Sequence, residues 1–279
     1  TSTDFAALER FIASGALGAL LDEYTNSQYH TPENIILSKK IGNNIARRLG
    51  IDKTAMPCIE STLPTRYDNP HGFTILKNLI ESLLATCGSL GIPTDNFPYY
   101  ACIPTGLVNA YATNVPGVSK QFLLFDNQMF FFCNLFAKCF AMSLPITRNG
   151  DRVAISVDIK LVREHLDANP TPIQRLKELL DATLSSSPSV APPYLPPREY
   201  IAVSGIIRDS MELFVVAHEF GHVFRGHIGG LISAPSQSAE EFLALTNNAH
   251  IQEHEADWMG FGITLHKLRK DGIDTPLSF

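Results

Sequence analysis

A chain of 279 residues with 45% hydrophobic and 18% charged residues has an ordinary globular composition, and its length suits one large domain or two small ones. Disorder is excluded on those figures. Its 22 basic against 28 acidic residues give a net charge of −6, and no Lys/Arg cluster interrupts that balance, which sets nucleic acid aside as a partner.

In chain order, the first apolar run is FIASGALGALL (11–21). Asp4 and Glu9 precede it and Asp22 and Glu23 follow, so it reads as a helix rather than the core of a signal peptide. Thr31-Pro32 supplies an N-cap and a first-turn proline for a helix through Ile35, Ile36, Ile41, Ile45 and Leu49, stopping at Gly50. A third helix covers Phe73 to Cys87, with Ile75, Leu76, Leu79, Ile80, Leu83 and Leu84 on its periodic face and Gly88 as its stop. From Tyr99 to Asp126 the texture becomes β-like: YYACIP, LVNAYAT and KQFLLFD, with the turn NVPGVS predicting a hairpin.

QFLLFDNQMFFFCNLFAKCFAM (121–142) is interrupted by Asp126, Asn127, Gln128, Asn134 and Lys138. It never reaches the ~18 apolar residues of a membrane span. RVAISVDIK (152–160) alternates as a strand, and a helix capped by Thr171 with Pro172 at its first position follows. SSSPSVAPPYLPP (185–197) reads as an extended, stiff connector or lid, in preference to a ligand for an SH3-like partner. The five cysteines, Cys58, Cys87, Cys102, Cys133 and Cys139, form no CxxC pair and sit in apolar segments. They read as structural thiols of a reducing compartment, so the expected location is cytoplasmic.

The chemistry concentrates in AHEFGHVFRGH (217–227). Residues four apart share a helix face, so His218 and His222 can aim at one ion with Glu219 beside it. The surrounding FVVA and GHVF make this helix apolar, and buried His and Glu side chains need partners. Zinc suits the set, and a catalytic zinc takes three protein ligands plus a water. His227 falls out of register for a third ligand: ~140° around the helix from His222, it is expected to face elsewhere. IQEHEADWMGFG offers Glu253 and Asp257, four apart on one helical face. One of them can bind the metal while the other accepts the N–H of a ligand histidine. Glu255 is expected to point away as a solvated carboxylate.

Together, HEFGHVFRGH and EHEAD resemble the HExxHxxxxH and ExxAD signatures of gluzincin metallopeptidases, the clan of the CaaX prenyl protease and HtpX. VNAYAT (108–113) is similar to the NAFAT-like element that this clan carries upstream of its zinc helix. The spacing also resembles that of Lit-type phage-exclusion peptidases. The resemblance implies that His218, His222 and Glu253 bind Zn2+, that Glu219 is the general base and that Asp257 orients His218.

The expected function is therefore a soluble zinc-dependent metalloendopeptidase acting on a protein or peptide. A zinc-activated water attacks the carbonyl, Glu219 takes its proton and returns it to the leaving amine. The oxyanion and substrate candidates are His250, which precedes Asp257 by two turns, His227 and Tyr200, with Tyr194, Arg225, His254 and His266 behind them. An extended substrate would add to an exposed strand edge, KQFLLFD first and RVAISVDIK second. The competing readings are a gluzincin-fold binding or sensor module with a non-proteolytic zinc site, and a zinc amidohydrolase acting on a non-peptide amide. The expected fold is α+β and zincin-like, predominantly helical with a small sheet beside the HExxH helix. Residues 1–98 are expected to form a helical N-terminal part and 99–279 a zincin-like catalytic domain with an inserted segment at 143–197, with one compact domain as the alternative. The sequence carries no indication of oligomeric state.

Overall fold

The computed structural model describes residues 2–15, 63–149, 152–184, 191–228 and 239–273. The helix expected at 31–50, and the part of the 11–21 run beyond Gly15, lie outside the described residues. In chain order the elements are α1 (Ser2–Ser14), α2 (Pro70–Leu90), β1 (Tyr99–Cys102), β2 (Ala110–Thr113), β3 (Phe122–Phe125) and α3 (Asn127–Ser143). They continue with β4 (Ile146–Asn149), β5 (Arg152–Ile155), α4 (Ile159–Ala168), α5 (Thr171–Leu184), α6 (Ile201–Phe224) and α7 (Ala239–Lys270). The protein is mostly helical with a small mixed sheet, compatible with α+β. Among the described residues no helix is long and apolar enough to cross a membrane.

Two compact units emerge. The first comprises Thr1–Thr105, Asn109–Asn127 and Leu213–Phe279; the second comprises Gly106–Val108 and Gln128–Glu212. This differs from the expected division at residue 98. The reason is that α2 packs on β1 and on α7, with Ser89 Oγ 2.9 Å from His266 Nε2, so the N-terminal helices share a unit with the HExxH segment.

Asn69 starts α2 by accepting from the backbone N–H groups of His71 and Gly72, with Pro70 at the first position. The helix passes Gly88, where a stop was expected, and ends at Gly91, whose φ of 71° supplies the left-handed cap. Just before the helix, buried Asp68 accepts from Cys102 N–H at 2.6 Å and from Thr65 N–H at 2.9 Å, tying the helix start to β1.

The three-stranded sheet has the order β1-β3-β2, with β1 parallel and β2 antiparallel to β3. FLLF is therefore the central strand, and all four of its residues are buried. This corrects the expectation that KQFLLFD offers a free edge: an uninterrupted apolar run is the pattern of a strand covered on both faces. The edge that adjoins the HExxH helix is β2. Leu8 and Ile12 of α1, Tyr67, Ala101, Val115, Phe122 and Leu124 close one core around this sheet.

In the second unit, β4 and β5 form a two-stranded antiparallel pair. The strand expected over RVAISVDIK stops at Ile155, because Asp158 turns the chain into α4 by accepting from the N–H groups of Lys160 and Leu161. A cap of that kind outcompetes the alternating pattern. Leu135, Leu179 and Ala191 form one core here, and Ala141, Met142 and Tyr200 another.

Candidate metal centre

Helix α6 buries Leu213, Val216, Ala217 and Phe220, a spacing that turns one apolar stripe inward and carries His218 and His222 along its flank. It lies against α7 through glycines. A Cβ on Gly221 would stand 3.1 Å from the Cα of Ala256, and one on Gly260 would stand 3.0 Å from the backbone oxygen of Phe214. This close approach brings the α7 carboxylates within reach of the α6 histidines.

Three donors converge. His218 Nε2 lies 3.1 Å from His222 Nε2 and 3.3 Å from Glu253 Oε2, and His222 Nε2 lies 3.6 Å from Glu253 Oε1. This trio could hold a metal ion. Asp257 Oδ1 meets His218 Nδ1 at 3.0 Å, so the ring donates outward and turns its bare Nε2 toward the other donors. Burial pushes His222 below the ordinary imidazole value against the opposing pull of Glu253, favouring the neutral ring that ligation requires. The site is open on its α7 side: the Glu253 side chain is 60% exposed, those of His218 and His222 only 16% and 14%.

Glu219 is buried behind this trio. Burial raises its carboxyl to about 7, the charge of Glu253 adds to the rise, and a hydrogen bond from the backbone N–H of Ala112 opposes it. Ala112 belongs to β2, so the sheet edge meets the HExxH helix at the glutamate itself. Phe97 stacked on Phe220 holds the segment leading into β1 against the same helix.

The structure thus brings His218, His222, Glu219, Glu253 and Asp257 into one place. His227 is a correction. The helix ends at Phe224, Gly226 adopts φ 73°, and the N–H groups of Gly226 and His227 return to the carbonyls of Val223 and His222. The continuous-helix phase no longer applies, and His227 folds back with its Nδ1 3.2 Å from His222 Nδ1. Its other nitrogen meets Glu255 at 2.9 Å, so neither is left for an oxyanion.

Glu255 is the second correction, because it does not point away. Ala256, fully buried against α6, marks the contact line of α7, and Glu255 and Asp257 lie ~100° to either side of it. Taking Glu253 as the centre of the face hid this. The signal that could have revealed it is RGH after the helix, a glycine that ends the helix with a histidine directly behind it.

The remaining candidates have their own surroundings. Tyr200 is buried in the second unit's core with Ala141 and Met142. His250 is exposed on α7 one turn before Glu253, and His254 is exposed as well. Arg225 lies 3.7 Å from Glu255, His266 is bound to Ser89, and Tyr194 is part of the second unit.

Comparison with protein-family models, with curated proteins and with solved structures gives no match to this chain.

Proposed function

We propose that this protein is a zinc-dependent metallopeptidase of zincin-like fold, with His218, His222 and Glu253 as metal ligands and Glu219 as general base. The observation that carries the reading is the convergence of the two Nε2 atoms and the Glu253 carboxylate at separations of 3.1, 3.3 and 3.6 Å. Ligands at ~2.0–2.1 Å in a tetrahedron stand ~3.3–3.4 Å apart, so the trio matches three corners of a zinc site and leaves a fourth for water. Three lone-pair donors at these distances repel one another unless a proton or a metal cation lies between them, and a metal ion satisfies all three at once.

Zinc, when bound, supplies Lewis acidity that makes water acidic and polarises a carbonyl. Glu219 accepts the proton as the water oxygen bonds to the carbonyl carbon. It returns that proton to the amide nitrogen as the C–N bond breaks, so the base is regenerated. The hydrogen bond from the Ala112 N–H holds the Glu219 carboxylate in place for both transfers. Asp257 fixes the tautomer and direction of His218.

An extended peptide can add to β2, the sheet edge beside Glu219. Asp126 N–H bonds to Asn109 O, so Tyr111 and Thr113 pair with β3 and Ala110 and Ala112 turn their backbone groups outward, where their N–H groups meet Asn109 Oδ1 and Glu219 and only their carbonyls address the edge.

Elemental analysis of wild type and Glu253→Gln, with peptide-library cleavage by wild type and Glu219→Gln, tests the proposal. It expects one zinc per chain, weakened by Glu253→Gln, and cleavage lost in Glu219→Gln while zinc stays bound. Absence of zinc from the wild type defeats the reading. Bound zinc without cleavage in the wild type would favour a binding or sensor module.

A further inference from the structure

The two histidines are held from behind in different ways. His218 donates directly to a carboxylate, whereas His222 faces a second imidazole across 3.2 Å between two Nδ1 atoms. Such a pair has no inherent direction, since either ring could donate. Glu255 breaks the tie. A carboxylate only accepts, so its contact at 2.9 Å makes His227 Nε2 the protonated nitrogen and, in the neutral ring, leaves Nδ1 bare. His227 Nδ1 then accepts from His222 Nδ1–H, and His222 Nε2 is the nitrogen left bare, facing His218 and Glu253.

We infer that Glu255 and His227 form a positioning relay that fixes the tautomer and ring direction of His222 for metal binding. The relay rests on the zinc reading above and adds two residues to the centre. Backbone geometry delivers it. Gly226, with φ 73°, and the bond from His227 N–H to His222 O at 2.9 Å form the Schellman end of α6. That motif sets the residue after the glycine against the residue four before it, a contact usually made by two apolar side chains. Here it is made by two imidazoles. His227 is 9% exposed, so its ring is shielded from competing water. Arg225 lies 3.7 Å from the other Glu255 oxygen, so each oxygen has its own partner.

The test measures zinc affinity by competition with a chromophoric chelator in wild type, Glu255→Ala, His227→Leu and the double variant, each first shown to be folded by circular dichroism. Glu255 lies at the surface, so its variant keeps the test open should His227→Leu fail to fold. A ligand's outer partner is worth about 10–100-fold in metal affinity. Glu255→Ala is expected to lose at least about 10-fold, and the double variant to fall no lower than His227→Leu. Asp257→Asn, acting on the other histidine, is expected to multiply with Glu255→Ala. Cobalt substituted for zinc gives a second readout: its visible bands shift in Glu255→Ala if the His222 ring turns, which loss of general stability does not produce. Wild-type zinc affinity and unchanged cobalt bands in Glu255→Ala overturn the relay alone. A wild type that binds neither metal overturns the zinc reading, and the relay with it.

Discussion

Gly221 of α6 lies so close to α7 that a Cβ there would stand 3.1 Å from the Cα of Ala256 and 3.2 Å from the Cβ of Met259. The residue sits between His218 and His222, so the closeness of the helices and the convergence of the donors are one feature. Gly221→Ala must push backbone against backbone, with an expected cost of about 1–3 kcal/mol. It also moves Glu253 away from the histidines. Gly205→Ala, on the same helix with nothing within 4 Å, is the control and should gain about 0.5–1 kcal/mol from helix propensity. Urea denaturation of both variants and zinc titration of Gly221→Ala check this; equal stability of the two would show that the helices have slack.

Asp257 is 52% exposed at its side chain yet reaches His218 Nδ1 at 3.0 Å. Exposure makes the substitution harmless to folding, so its effect should appear in metal binding. Asp257→Asn keeps an acceptor but loses the charge, and about 10-fold weaker zinc affinity is expected, with Asp257→Ala nearer 100-fold. Chelator competition measures both. Wild-type affinity in Asp257→Ala would leave His218 oriented by packing alone.

The convergence of the candidate donors was legible because a helix repeats on a known angle: local spacing sets His218, His222 and Glu219 together, and the same rule sets Glu253 and Asp257 on one face of another helix. What the spacing could not supply was the line along which the two helices touch. That line runs through Gly221 and Ala256, residues without chemistry, and it decides that Glu255 reaches His227. The sheet shows a similar limit. Local patterns found all three segments, but strand order depends on long-range pairing, so KQFLLFD looked like an available edge while β3 lies at the centre. In RVAISVDIK a single cap at Asp158 overrode the alternation.

Tyr194 explains the described part of the proline-rich segment. Its hydroxyl meets Cys139 Sγ at 3.1 Å, its backbone oxygen accepts from Lys138 Nζ at 3.0 Å, and the Arg175 guanidinium lies 4.9 Å from its ring centre. The ring also packs on both cores of the second unit. Tyr194→Phe, which keeps the packing and loses one hydrogen bond, should cost about 1 kcal/mol. Tyr194→Ala should cost about 2–3 kcal/mol, less than the ~3–5 of a fully enclosed aromatic. Thermal denaturation ranks the two variants, and a neutral Tyr194→Ala would show the segment to be dispensable to the second unit's stability.

Glu212 gives a stability prediction independent of metal ligation. Buried in α6 at 4% exposure, its carboxyl is pushed up to about 8 by burial, against the lowering effect of Arg208 and with a further rise from Asp209. The unfolded chain releases this proton near the ordinary value of 4.5, while the folded chain holds it to about 8. Between those values the native state binds more protons, so the contribution of Glu212 is fully present below 4.5 and lost as pH rises through 8. Each unit of difference is worth about 1.4 kcal/mol, so a few kcal/mol are at stake across the window. Glu212→Gln retains the shape of the protonated side chain without its titration. Urea denaturation in the presence of chelator should therefore show the variant close to wild type at pH 5 and more stable than it at pH 8. A difference between the two proteins that does not change with pH would mean that water or a cation already compensates the buried charge.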